Sequence, residues 1–206
     1  MTSLVVISAG LSVPSSTRLL ADRLTAATRD ALGQVQVTNV ELRDVAHELT
    51  DHLLTGFPGP ALAATIDAVR RADALIAVTP VFSASYSGLF KTFFDVLDEG
   101  TLDGKPVLMA ATAGTARHSL VLEHALRPLF AHLRAVVVPT GVFAATDDFG
   151  AAGLEGRITR AAGELAAVMT KTGDHIASIS SRHRDAEDEL TDPTPFELLL
   201  EQAKAG

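Results

Sequence analysis

Five short apolar runs punctuate the chain: Leu4–Ser8, Val35–Leu42, Ala74–Thr79, Pro106–Ala111 and Ala135–Thr140. Four of them are almost wholly apolar, which is the pattern of strands covered on both faces, whereas Val35–Leu42 alternates more and suits a sheet edge. Longer stretches of helical period lie between them. They predict helices over Ser16–Leu32, Pro60–Ala72, Tyr86–Glu99 and Arg117–Leu133, with a last one near Leu154–Lys171. In the first, Leu20, Leu24, Ala27 and Ala31 recur at helical spacing and give one face to lay on a sheet.

Strands alternating with helices imply βαβ units, and right-handed crossovers place helices on both faces of a parallel sheet. Five such strands predict an α/β, flavodoxin-like three-layer sandwich with strand order 2-1-3-4-5. In that order ligands sit outside the carboxyl ends of the strands, so the loops after the first, third and fourth strands carry the chemistry. The pattern weakens from about Gly173. The reading is therefore one domain over residues 1–175 and an acidic tail, 176–206, that is expected to be mobile.

Composition narrows the chemistry further. The 206 residues, 47% of them hydrophobic, are enough for one well-filled core. There is no cysteine, so disulfides, thiolate metal sites and thiol redox chemistry are excluded, and any redox function needs a cofactor. The opening segment has no basic region ahead of its apolar run and reads as a first strand, not a signal peptide. No apolar stretch approaches the ~20 residues of a membrane span. A cytoplasmic protein without a membrane partner is the expectation. Net charge is −8, from 17 basic and 25 acidic residues, which argues against a nucleic-acid surface. Seven of the acids lie between Asp185 and Glu201 with no Lys or Arg among them, so the body is close to neutral.

The first strand runs into Ala9-Gly10-Leu11-Ser12-Val13-Pro14-Ser15-Ser16-Thr17 and then a helix. Hydroxyls at Ser12, Ser15, Ser16 and Thr17, beside the free N–H groups of a helix start, suit a phosphate. The same residues also suit plain helix capping, which draws on the same orphan groups. Gly10 stands alone, so neither a P-loop nor a Gly-x-Gly-x-x-Gly turn is present. After the third strand comes Thr79-Pro80-Val81-Phe82-Ser83-Ala84-Ser85-Tyr86-Ser87-Gly88, followed by Lys91 and Asp95. Pro80 sets φ, Val81 and Phe82 supply apolar surface, and Ser83, Ala84, Ser85 and Tyr86 place small residues and donors beside a flat ligand.

These two loops together resemble the NADPH-dependent FMN reductase family. Its first loop reads approximately Gly-Ser-x-Arg-x-x-Ser-x-Asn/Thr, and its second Thr/Ser-Pro-x-Tyr, a spacer, then Gly-x-x-Lys-x-x-x-Asp. Ala9 and Gly10 stand at the Gly-Ser, Ser12 at the Arg, and Ser15 and Thr17 at the last two marked positions; Thr79, Pro80, Gly88, Lys91 and Asp95 match the second, with Phe82 for Tyr. The likeness spans residues 2 to 172 and is nearest to reductases that supply reduced flavin to luciferase-like monooxygenases. It implies FMN as cofactor, NADPH or NADH as reductant, hydride transfer without a catalytic acid or base, a homodimer or homotetramer, and a flavin-dependent monooxygenase as partner. Ser12 removes the family's cation, with Arg18 as a poorly aimed substitute, so FMN is expected to exchange.

The resemblance extends to Thr112, Ala113, Gly114 and Thr115 after the fourth strand, where backbone N–H groups would face the flavin's pyrimidine side. His118 follows, able to meet flavin or nicotinamide, or simply to open a helix. The other histidines lack metal-ligand spacing, and no metal is expected. Leu89, Phe90, Phe93, Phe94, Val96 and Leu97 form an apolar arc that suits either a subunit interface or a deep core helix. In the tail, Phe196, Leu198, Leu199 and Leu200 offer a partner-docking segment or a disordered end. Two rival readings use the same cofactor: a quinone, azo-dye or chromate reductase that keeps its FMN, and a flavodoxin-type electron carrier. A flavin-free interaction module built on the tail is the third.

Overall fold

The near-continuous apolar runs become β1 (Ser3–Ser8), β3 (Ala74–Phe82) and β5 (Pro106–Ala113), each buried along most of its length. They pair in parallel, with Leu4 beside Ala74 and Leu75 beside Val107. The alternating run becomes β2 (Gln36–Glu41), which lies at the edge, Val37 beside Leu4. This computed structural model describes residues 2–172. The chain divides into two units, Met1–Met169 and Thr170–Gly206. The tail expected over 176–206 lies outside the described residues.

One face of the sheet is covered by α1 (Ser16–Leu32) and α6 (Ala152–Thr172), whose Leu20, Leu24, Leu154, Ile158 and Leu165 pack on Val6, Ile76 and Leu108. Leu20 and Leu24 are fully buried, each contributing about 1.5–3 kcal/mol. Ala31 is exposed, and Thr25 and Thr28 occupy the stripe instead, their hydroxyls donating to the carbonyls of Ala21 and Leu24 at 2.7 and 2.8 Å. The other face is covered by α2 (Ala46–Thr55), α3 (Pro60–Arg71), α4 (Gly88–Asp95) and α5 (Arg127–His132). Among the described residues no helix is long and apolar enough to cross a membrane.

The flavodoxin-like order is present, but in seven strands rather than five: β2-β1-β3-β5-β6, with β4 (Ser85–Tyr86) on β3 and β7 (Val142–Ala145) on β5. The fifth run was expected over Ala135–Thr140. It is instead split into β6 (Val136–Val137) and β7, both parallel to β5. Pro139 has no N–H for the ladder, and Thr140 turns its N–H and hydroxyl to the Glu164 carboxylate at 2.7 Å each. Pairing resumes only after Gly141, so the strand ends at Ala145, five residues later than its expected end.

Three helices also differ from expectation. The helix predicted over Tyr86–Glu99 begins at Gly88, because Tyr86 pairs with Val81 in an antiparallel hairpin and Ser87 is the N-cap. Over Arg117–Leu133 the chain forms a 3-10 turn (Ala116–His118), a π turn (Leu122–Leu126) and then α5. Pro128 cannot donate to the carbonyl of His124, and the π turn ends just before it. The chain also forms a helix over Ala46–Thr55 that the apolar pattern does not predict, because only Leu49 of it is buried, too thin a stripe to detect. In α4, Phe90, Phe93 and Phe94 are buried and pack with Phe130, ring centroids 4.8–6.3 Å apart. The aromatic part of the apolar arc is thus core, while Leu89, Val96 and Leu97 stay partly exposed.

Candidate functional site

At the carboxyl ends of β1, β3 and β5 the three predicted loops meet in a cleft of about 310 Å³. The first loop contributes Gly10, Leu11, Ser12, Ser15, Ser16 and Thr17; the second Pro80, Val81 and Phe82; the third Thr112, Ala113 and Gly114. Thr146, beyond β7, completes the lining. The expected end of the fifth strand at Thr140 gives no sign of it. A larger groove, about 460 Å³, lies at the opposite end of the sheet between β2 and α3. Ligands of parallel sheets sit at the carboxyl ends, and the guanidinium there, Arg71, is already paired with Asp67.

The first loop is built to leave donors free. Ser15 caps α1, accepting from the Arg18 N–H at 3.2 Å. No backbone N–H of Gly10, Leu11, Ser12, Ser15, Ser16 or Thr17 has a partner among the described residues. Such a row of free N–H groups at a helix start is a ready anion site. Gly10 is required there: a Cβ would lie 2.1 Å from Ser15 Oγ and 3.1 Å from Thr17 Cβ. Thr17 and Thr112 are both buried and share one hydrogen bond at 2.8 Å, so one of the two hydroxyl hydrogens remains available.

The second loop is built the other way. Thr79 Oγ1 donates to the Pro80 carbonyl at 2.9 Å and accepts from the Ser87 N–H at 3.0 Å, and Ser87 Oγ accepts from the Phe90 N–H at 3.1 Å. That chain of bonds clamps both ends of the loop to the start of α4. Ser83 and Ala84 carry positive φ, 50° and 66°, as a two-residue hairpin turn requires. Phe82, 46% exposed, lines the cleft, whereas Ser83, Ala84 and Ser85 lie at the hairpin tip off the lining. Tyr86 turns inward against Phe90, ring centroids 5.9 Å apart. Thr115 and His118 are also off the lining, in an exposed stretch that leaves Gly114; the Gly114 and Thr115 N–H groups have no partner among the described residues.

Cations at the first loop are neutralised. Arg18 donates to Asp22 at 2.8 Å and to Glu41 at 2.5 Å, and Arg43 pairs with Glu41 at 2.8 Å while donating to the Ser12 carbonyl at 3.3 Å. The hydrogen bond to Asp22 and the charges of Asp22 and Glu41 hold the Arg18 guanidinium above its ordinary pKa, against the opposing effect of burial. Sequence reading did not single out Glu41 and Arg43: the order 2-1-3 places the end of β2 beside this loop, but residue order does not tell which of its side chains turn toward Arg18 and Ser12.

A cradle of free N–H groups and hydroxyls beside a rigid apolar wall suits a phosphorylated planar ring, and FMN has those parts. Residues 2–150 match the family described as NADPH-dependent FMN reductase. The chain belongs to that family. The FMN reductase (NADPH) of Pseudomonas aeruginosa is 41% identical to this reductase over 145 residues, 70% of this chain and 77% of that protein. The NADH-dependent FMN reductase SfnF of Pseudomonas putida is 37% identical over 145 residues, 70% of this chain and 78% of the other. A solved oxidoreductase of Corynebacterium diphtheriae is similar at 50% identity with a TM-score of 0.81, covering 83% of this chain and 98% of that one. This reductase is accordingly an NAD(P)H-dependent oxidoreductase whose flavin is FMN.

Proposed function

We propose that this FMN reductase takes FMN into the 310 Å³ cleft as an exchangeable substrate and hands the reduced flavin to a separate flavin-dependent monooxygenase. What supports exchange is the cup itself: a row of neutral donors, with the guanidiniums of Arg18 and Arg43 beside it already held by carboxylates. Charge-assisted bonds are roughly twice as strong as neutral ones, so a cup without them releases its phosphate more readily.

Bound FMN supplies the hydride acceptor. The chain's own work is positioning. Gly10 to Thr17 would hold the phosphate, Pro80 to Phe82 would form the wall along the ring, and the Gly114 and Thr115 N–H groups would face its polar edge, where negative charge gathers on reduction. Thr112 would steady Thr17, Ser83 to Ser85 with His118 would flank the opening, and Tyr86 would back the loop against Phe90. No side chain is assigned as acid or base. The protein is further proposed to work in the cytoplasm as a homo-oligomer, a role for which the exposed Leu53, Leu54 and Phe57 at the end of α2 offer apolar surface.

Turnover stoichiometry tests the reading. Protein freed of flavin by gel filtration, given a large anaerobic excess of FMN and NADPH or NADH, is expected to reduce many equivalents of FMN. Reduction that stops at one equivalent, with quinone or azo dye turned over instead, would favour a reductase that keeps its flavin and would end this proposal. Flavin that stays oxidised would point to an electron carrier.

A further inference from the structure

A nicotinamide nucleotide carries a pyrophosphate, and NADPH a 2′-phosphate as well, so a protein that binds it gains from a cation placed where those phosphates arrive. Most cations among the described side chains are occupied. Arg18 and Arg43 share Glu41, and Arg23, Arg70, Arg71, Lys91, Arg127, Arg134 and Arg157 are each within ion-pair distance of a carboxylate. Lys105 is buried and donates to the carbonyls of Val69, Arg70 and Ala72 at the end of α3. Only the side chains of Arg29, Arg117 and Arg160 have no ion pair or hydrogen bond among the described residues.

Position separates these three. Arg29 sits in the last turn of α1, about 20 Å along the helix from the cup at 1.5 Å per residue, and Arg160 is midway along α6. Arg117 lies in the 3-10 turn Ala116–His118, three residues beyond Gly114, which lines the cleft. The whole stretch 114–120 is exposed, and Glu123, the nearest acid in sequence, is already held by Arg127 at 2.6 and 3.0 Å. A guanidinium with no partner among the described residues therefore stands on the exposed third loop, three residues beyond the cleft lining, on a different loop from the phosphate cup with its own donors.

We infer that Arg117 grips a phosphate group of the incoming NADH or NADPH as the nicotinamide enters the cleft. This rests on reading the cleft as the flavin site. The group is either the 2′-phosphate or the pyrophosphate, and which one it is sets the coenzyme preference.

The test titrates FMN-saturated protein with NADP⁺ and with NAD⁺, following flavin absorbance, in wild type, Arg117→Gln and Arg117→Lys. Arg117→Gln is expected to weaken NADP⁺ binding about tenfold, with Arg117→Lys retaining most of it and FMN affinity unchanged. Weakening confined to NADP⁺ supports a 2′-phosphate contact, and equal weakening of both supports the pyrophosphate. Added KCl should weaken nucleotide binding more in wild type than in Arg117→Gln. Unchanged nucleotide affinity in Arg117→Gln, or a loss matched by FMN, overturns the inference while leaving the flavin site intact. Wild type that fails to bind FMN overturns both.

Discussion

The loop after β1 and the loop after β3 face the same cleft, yet one leaves its polar groups free and the other uses them on itself. From Gly10 to Thr17 the backbone N–H groups have no partner among the described residues, whereas Thr79, Ser87 and Phe90 form a closed set of bonds around Pro80 to Tyr86. Free N–H groups at a helix start, running from the buried Gly10 through the half-buried Ser15 to the buried Thr17, form a ready anion site. An anion satisfies such donors. A flat apolar ring needs the opposite, a wall that does not rearrange. Mutations in the first loop should therefore register in flavin affinity, and mutations in the second in stability.

The largest effect expected is from Ser15→Asp combined with Ser16→Asp. Ser15 is the N-cap and Ser16 is exposed in the first turn, so carboxylates there suit the helix dipole and should leave the melting temperature unchanged or higher. Against phosphate they are like charges, and FMN affinity should fall by roughly 100-fold, about 3 kcal/mol. A flavin titration with unchanged affinity would place the phosphate elsewhere and dissolve the contrast between the loops.

Next in size is Thr79→Val, which leaves the buried Ser87 N–H without its acceptor. A loss of about 1–3 kcal/mol in denaturant unfolding is expected, with FMN affinity changed less than stability. If affinity collapsed while stability held, the second loop would be a binding loop like the first. Ser12→Arg restores a cation to the cup and should tighten FMN by about tenfold, an effect that added salt erodes; a salt-independent gain would argue for packing instead. The smallest change is Ala84→Gly. Relief of φ 66° offsets the entropy of glycine, and a net gain of about 0.5 kcal/mol without any change in FMN affinity is expected.

Much of this was legible in the residues. The apolar runs marked β1, β3 and β5, and the hydroxyl-rich stretch and the Thr79-Pro80 stretch mark two of the loops that line the cleft. Other features were not. Tyr86 looked like a flavin donor until the hairpin turned it onto Phe90, and Ser83 to Ser85 looked like lining until two positive-φ residues carried them to a tip. Thr146 stayed hidden because Pro139 and Glu164 interrupt a strand that resumes beyond Gly141.

Local pattern alone determined which segments are strands and which turns are rich in donors, because hydrophobic period and residue chemistry act over a few neighbouring positions. The resemblance adds that Ser12 stands where the family has an arginine. Only the tertiary structure decided that Arg18 and Arg43 are both held by carboxylates. Both meet Glu41, which lies 23 residues from one and two from the other, and whether a guanidinium is free depends on what the fold brings within 4 Å of it.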